Sequence, residues 1–247
     1  MDFIVGDMED AERAPRRRTG RPLSFNREAA LHQAMLLFWR HGYEATSLGQ
    51  LTAAMGVTPP SLYAAFGDKK RLFLEAIARY LSGPVTSAGI IEGAATARDA
   101  AWGLLHASAT GFTGADTPPG CLLASSAISC SVAAADAQAE LAALRRGIEA
   151  CLRRRIVQAV EVGEMEADTD AEALAGHVMA VIQGMSTLAR DGAAREKLTR
   201  VAAAAMLAWP ARPTDRAAAG KARQEASKVE ALPQPSPKAR LWNPFLK

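Results

Sequence analysis

From residue 26 onward, apolar positions recur at helical spacing, and polar caps punctuate them. Leu31, Ala34, Met35, Phe38 and Trp39 share one face of a predicted first helix. Asn26 is its N-cap, with Phe25 before it, and His41-Gly42 ends it, glycine suiting a left-handed C-cap. A second helix is predicted after Thr46 as N-cap, with Leu48, Leu51, Ala54 and Met55, stopping at Gly56. A third begins after Thr58, with Pro59 tolerated in its first turn, and ends near Phe66-Gly67. A fourth starts at Asp68 and carries Leu72, Phe73, Ile77 and Tyr80. Gly83-Pro84 interrupts the pattern. Later helices are predicted at 95–112, 121–134, 136–162, 170–190 and 194–209, and no convincing strand pair occurs. The expected fold is all-α, a small N-terminal unit at 25–81 followed by a larger helical domain at 85–210.

Composition agrees. About half the residues are apolar, aromatics are few and alanine, the best helix former, is abundant. Residues 1–24 read as a flexible arm with Arg16-Arg17-Arg18 and Gly20-Arg21-Pro22, a basic run suited to a minor groove or to no more than solvation. Residues 211–247, with five prolines and scattered charge, read as a disordered tail. The N-terminus lacks the order of a signal peptide, and no stretch approaches the roughly 20 apolar residues of a membrane helix. A cytoplasmic protein without a membrane partner is expected.

Charge is uneven. Residues 13–81 hold eleven Lys/Arg against four Asp/Glu, whereas 82–210 hold ten against fourteen. A basic unit beside an acidic one suits a polyanion partner. Cys121, Cys130 and Cys151 suit neither a disulfide framework nor a zinc site, and the four histidines lack metal spacing. GxGxxG, P-loop, HExxH and GxSxG motifs are absent, so neither an enzyme nor a cofactor is expected.

The two short helices around Gly56-Val57-Thr58 form a helix-turn-helix pattern. Glycine permits the positive φ that such a turn often needs, and Val57 can bury in the elbow. The second helix then presents its N-terminal turn to a major groove about 12 Å wide. Thr46, Ser47, Thr58, Ser61 and Tyr63 supply hydroxyls at helix starts and along that helix, and Lys69 and Lys70 open the next one. Such groups are typical phosphate clamps.

The segment TSLGQLTAAMGVTPPSLYAAFGDKKRLFLEAIARY closely resembles the DNA-binding domain of TetR/AcrR-type regulators. The shared motif is Gly56, then Ser61-Leu62-Tyr63, Phe66 and Lys69, and the likeness spans roughly 24–81. The variant PPSLYAAF looks like one subgroup and departs from the commoner pattern, which has a basic residue near 59 and a histidine near 65. The resemblance implies that Tyr63 and Lys69 grip phosphates, that Thr46, Thr58 and Ser61 lie near backbone or base edges, and that Leu62 and Phe66 pack inside. With Ser47, Pro59 and Pro60 these form the expected DNA-binding set.

The same resemblance implies a C-terminal effector-binding and dimerisation domain, whose last two helices pair between subunits. The sequence is compatible. Leu174, Val178, Ile182 and Met185 form an apolar row with Gly176, Ala180 and Gly184 beside it, and Leu198, Val201, Ala205 and Leu207 follow. The same rows would serve an intramolecular core. Trp102, His106, Phe112, Cys121, Ser125 and Gln183 are the expected effector contacts, polar groups among apolar helices. The expected function is a repressor that binds double-stranded operator DNA as a homodimer and releases it when an unknown small molecule binds.

Two alternatives stand beside it. One is a DNA-binding protein without an effector. The other is a redox or electrophile sensor through Cys121, expected in the first turn of a helix after Thr117-Pro118-Pro119-Gly120, where a thiolate is favoured. On one helix Cys130 would lie some 13 Å away on the opposite face, too far for a disulfide.

Overall fold

A computed structural model describes residues 25–126, 131 and 134–210, and every regular element among them is helical, with no strand. The N-terminal arm, the C-terminal tail and Cys130 therefore lie outside the described residues. Ten α-helices follow in order: α1 Arg27–His41, α2 Leu48–Met55, α3 Pro59–Phe66, α4 Lys69–Leu81, α5 Ser87–Gly93, α6 Ala97–Gly111, α7 Leu122–Ser125, α8 Ala135–Glu161, α9 Ala171–Arg190 and α10 Arg195–Ala205. A 3-10 turn at Met206–Ala208 closes the set.

Local chemistry explains the first four. The Asn26, Thr58 and Asp68 side chains each accept a backbone N–H three residues on, filling a donor that the first helical turn leaves orphaned. The second helix corrects the expectation. Its cap is Ser47, not Thr46. Ser47 Oγ accepts the Gln50 N–H while Gln50 Oε1 accepts the Ser47 N–H, a reciprocal capping box. Thr46 is fully buried, and its hydroxyl donates to the Gly42 carbonyl at 2.6 Å.

Two further differences concern the second half. A short helix, α5, forms behind a Thr86 cap where none was expected, despite two glycines in seven residues. The helix expected at 121–134 is confined, among the described residues, to Leu122–Ser125, with Cys121 as its N-cap residue rather than in its first turn.

Packing makes one continuous core. In the N-terminal unit α1 lies against α2 and α4, and Phe38, Tyr43 and Phe73 cluster with centroids 4.8–6.2 Å apart. Leu62 and Phe66 bury the inner face of α3, matching the expectation for both. Arg27 ties three helices together. Its guanidinium lies 4.3 Å over the Phe66 ring, donates to the Ala65 carbonyl and pairs with Glu75 of α4 at 2.6 Å. In the C-terminal unit α8 packs on α9, and α6 on α5, α9 and α10. The short α7 touches α1, α4, α8 and α9, and so sits where the two units meet.

Candidate nucleic-acid interface

The turn between α2 and α3 is built around Gly56, which is left-handed at φ 65° and ψ 34°. Its N–H and that of Val57 close onto α2 carbonyls, and Val57 packs partly buried against the core. A tight turn pinned at both ends holds α3 at a fixed angle and turns its start outward.

That start is unusual chemically. Pro59 and Pro60 occupy the first two helical positions and carry no N–H, so two donors that would face an anion are missing. The Thr58 and Ser61 hydroxyls lie 2.9 Å apart and hydrogen-bond to each other, and the Ser61 N–H is held by Thr58. The exposed turn thus offers two hydroxyl oxygens and two proline rings. Tyr63 stands beside them with 48% of its surface exposed. Ser47 is exposed at the start of α2.

Lys69 opens α4 and folds back over the Tyr43 ring at 4.6 Å, donating to the Glu44 carbonyl at 3.4 Å. Partial burial draws its pKa below the usual lysine value, while Glu44 pulls the other way. Its neighbour Lys70 turns to the second unit and pairs with Asp136 of α8 at 2.7 Å. Of the expected contacts, Ser47, Thr58, Pro59, Pro60 and Tyr63 are exposed, and Ser61 and Lys69 are partly so. The Thr46 side chain is the exception. With no exposed surface it braces the turn from behind, and the expectation that it meets DNA is corrected.

Behind this surface lies a cavity of about 940 Å³ between α1 and α4 on one side and α5, α6, α8 and α9 on the other. Phe112 lines it. The other expected effector contacts do not. Trp102 and His106 pair at 5.6 Å on an exposed face of α6, and Gln183 is exposed on α9. Ser125 donates to the Cys121 carbonyl and receives Arg190. Cys121 sits just behind the wall. It is buried, its N–H donates to Ser186 Oγ, and the hydroxyl of wall residue Tyr80 lies 3.5 Å from its sulfur. Burial, with the neighbouring Cys121 adding to it, raises the Tyr80 pKa well above its usual value.

Sequence reasoning missed His32, Met35 and Trp39 as cavity residues. Their spacing of three and then four places them on one face of α1, but that pattern reads equally as core. It also missed Arg190. This side chain reaches from the end of α9 to the Trp39 and Arg40 carbonyls at the end of α1, at 3.1 and 2.9 Å. A cation there satisfies open carbonyls and meets the negative end of the helix. Trp39 Nε1 donates to the Gly120 carbonyl at 3.0 Å, closing a second tie between the units.

The chain matches the family model "Bacterial regulatory proteins, tetR family" over residues 30–76 and the "Tetracyclin repressor-like, C-terminal domain" model over 102–205. It is 36% identical over 203 residues to the HTH-type transcriptional repressor ComR of Escherichia coli K12, covering 81% of this chain and 97% of that one. It belongs to the TetR family.

A solved structure agrees with this TetR-family assignment. The TetR family transcriptional regulator CifR, as a cysteine mutant complexed with 26bp double-strand operator DNA, superposes with a TM-score of 0.74 at 39% identity. The match covers 77% of this chain and 100% of that one. The HTH-type transcriptional repressor BdcR of Escherichia coli K12 matches more locally, 44% identical over 62 residues, 25% of this chain and 32% of its own length. The family assignment thus covers both units, and local identity to BdcR is confined to a short segment.

Proposed function

We propose that this TetR-family protein is a cytoplasmic repressor that binds operator DNA as a homodimer and releases it when a small molecule fills the cavity between its two units. The observation that carries the reading is the exposed start of α3, with Thr58, Ser61, Tyr63 and the two prolines turned outward on a pinned helix-turn-helix. Support comes from CifR, which shares the fold and is held on operator DNA in its solved structure.

Tyr63 and Lys69 serve the phosphates. Lys69 exchanges its contacts to Tyr43 and the Glu44 carbonyl for a phosphate oxygen. Thr58 and Ser61 reach base edges, and the rings of Pro59 and Pro60 offer apolar contact to thymine methyl groups. The PPSLYAAF helix thereby defines a recognition surface of its own subgroup, reading more by shape and methyl contact than by helix N–H groups.

Dimer formation uses the outer faces of α9 and α10. Ala180, Gln183, Gly184 and Thr187 are exposed along α9, with Ala203, Ala204 and the 86% exposed Leu207 beyond. Small residues allow two helices to approach closely across a twofold axis. The buried row Val178, Ile182 and Met185 serves the subunit's own core.

The test is binding of the full chain to duplexes from its own promoter by fluorescence anisotropy across a salt series. Affinity should fall steeply with salt as phosphate contacts release counterions. Tyr63→Ala and Lys69→Ala should weaken all sequences alike by about tenfold, whereas Thr58→Val should also change base preference. Salt-insensitive binding, or none, removes the proposal.

Control through Cys121 is the second reading. The contact with Tyr80 favours it, because an adduct on the sulfur has no room without displacing that hydroxyl from the cavity wall. Equal DNA release by a thiol-reactive compound in wild type and Cys121→Ser removes it.

A further inference from the structure

The cavity wall has a consistent chemistry. Among its lining residues there is no aspartate or glutamate, and the one formal charge, Arg79, is paired with Glu28 of α1 at 2.7 Å. A bound cation would find no counter-charge, and an anion would meet an Arg79 whose charge Glu28 already balances. Among the described residues no group of histidine, cysteine and acid side chains is placed to hold a metal ion. The volume, about 940 Å³, lies within the range of drug-sized ligand sites.

Most of the polar wall groups already have partners. Tyr80 Oη contacts Cys121, Ser82 Oγ donates to the Arg79 carbonyl, and Thr86 Oγ1 caps α5 at the Gly89 N–H. The hydroxyls of Ser87, Ser108 and Thr117 line the cavity as well, on residues that stay partly open to solvent. His32 differs from all of these. It lines the cavity from α1, and its Nδ1 is buried with no hydrogen-bond partner. A buried imidazole nitrogen without a partner is costly, so a turn of the ring that brings it to a ligand's polar group recovers a hydrogen bond. The ring can present either nitrogen by turning about its last torsion.

We infer that the cavity takes an uncharged, largely apolar organic molecule with a polar group that hydrogen-bonds to His32. This rests on the reading of the chain as an effector-released regulator and adds both the ligand's class and its contact. His32 belongs to α1, the helix that also carries Arg27 toward α3 and α4, so the ligand touches the DNA-binding unit itself.

The experiment titrates the full-length protein with N-phenyl-1-naphthylamine, a neutral fluorescent probe with one N–H, and with its charged relative 1-anilinonaphthalene-8-sulfonate. The neutral probe should bind saturably and the sulfonate about tenfold more weakly, the anion losing its hydration without meeting a net positive charge on the wall. Ala107→Phe, which narrows the cavity, should weaken the neutral probe about tenfold. Gly111→Phe repeats the test at a wall position where a Cβ meets nothing within 4 Å, should the first variant not fold. His32→Phe should weaken the probe about threefold, and His32→Asn, which returns a polar atom near the Nδ1 position, should restore it.

Equal binding of both probes, or neutral-probe binding unchanged by the phenylalanine variants or by His32→Phe, overturns the inference. Operator binding is measured separately on the same samples. A protein that shows the expected probe profile but binds no operator removes the regulatory reading and leaves the ligand class standing.

Discussion

The two units are built differently. In the N-terminal unit each of the four helices starts on a side-chain cap, and the first three end on glycines at positive φ: Gly42, Gly56 and Gly67. Each of these boundaries is set within a few residues. In the C-terminal unit α7, α8 and α10 have no side-chain cap. Their ends are set by packing, and a large cavity remains at the junction with the first unit. A surface that must match a groove is held by local, redundant restraints. A site that must admit a ligand is held by long-range contacts that leave room to shift. Five substitutions test this contrast.

The largest effect is expected at Gly120. Its φ is +83°, and an added Cβ would lie 2.8 Å from the Ser186 carbonyl oxygen, which is backbone and cannot step aside. Gly120→Ala should cost about 1–3 kcal/mol from the backbone conformation alone, with the collision in addition. Gly56 is the counterpart. A Cβ there meets nothing within 4 Å, and asparagine tolerates the left-handed region, so Gly56→Asn should cost less than about 1 kcal/mol. Thermal melts of the two variants compare a long-range glycine with a local one, and equal losses would break the contrast.

Gly184→Arg comes next. The position is exposed and open in the single chain, so the fold should survive. A dimer seam of small residues should not accept the bulky charge. Sedimentation should show monomer, and operator affinity should fall on the order of 100-fold while nonspecific binding changes little, because two half-sites must be held together.

Arg190→Ala removes hydrogen bonds to the Trp39 and Arg40 carbonyls and to Ser125. The partly exposed setting limits the stability loss to about 1–2 kcal/mol. The sharper readout is coupling. Ligand occupancy should change operator affinity less in this variant than in wild type, since one tie between α9 and α1 is gone.

The Lys70–Asp136 pair should matter least, because both groups are exposed. The hydrogen bond and charge of Lys70 hold the Asp136 carboxyl below its usual range, and Asp136 raises Lys70. The aspartate's contribution is therefore present above its unfolded pKa of about 3.9 and is lost as pH falls through its lowered folded value. The lysine's is present below about 10.4 and is lost as pH rises through its raised folded value. Asp136→Asn should flatten a small stability plateau between those limits, and added salt should do the same.

By itself the sequence determined what local interactions determine. Asn26, Thr58 and Asp68 were readable as caps because a cap joins residues three apart, and the apolar rows of α1, α4 and α9 because helical spacing needs no partner to be seen. The helix-turn-helix was legible on the same terms, and its Gly56, Leu62, Tyr63, Phe66 and Lys69 carried the family resemblance. The choice between Thr46 and Ser47 was also within reach, since Ser47 and Gln50 have capping-box spacing. Tertiary structure alone decided the rest. That Thr46 is buried while Ser47 beside it is exposed depends on how the rest of the molecule covers the loop. That His32 and Phe112, 80 positions apart, line one cavity while Trp102 faces outward depends on how α1 and α6 are rotated against each other. Arg190 meets α1 only because α7 and Gly120 bring α9 within reach across some 150 residues. Caps and periodicity act along the chain, whereas a cavity and a tie between units exist only between elements whose separation the chain does not encode locally.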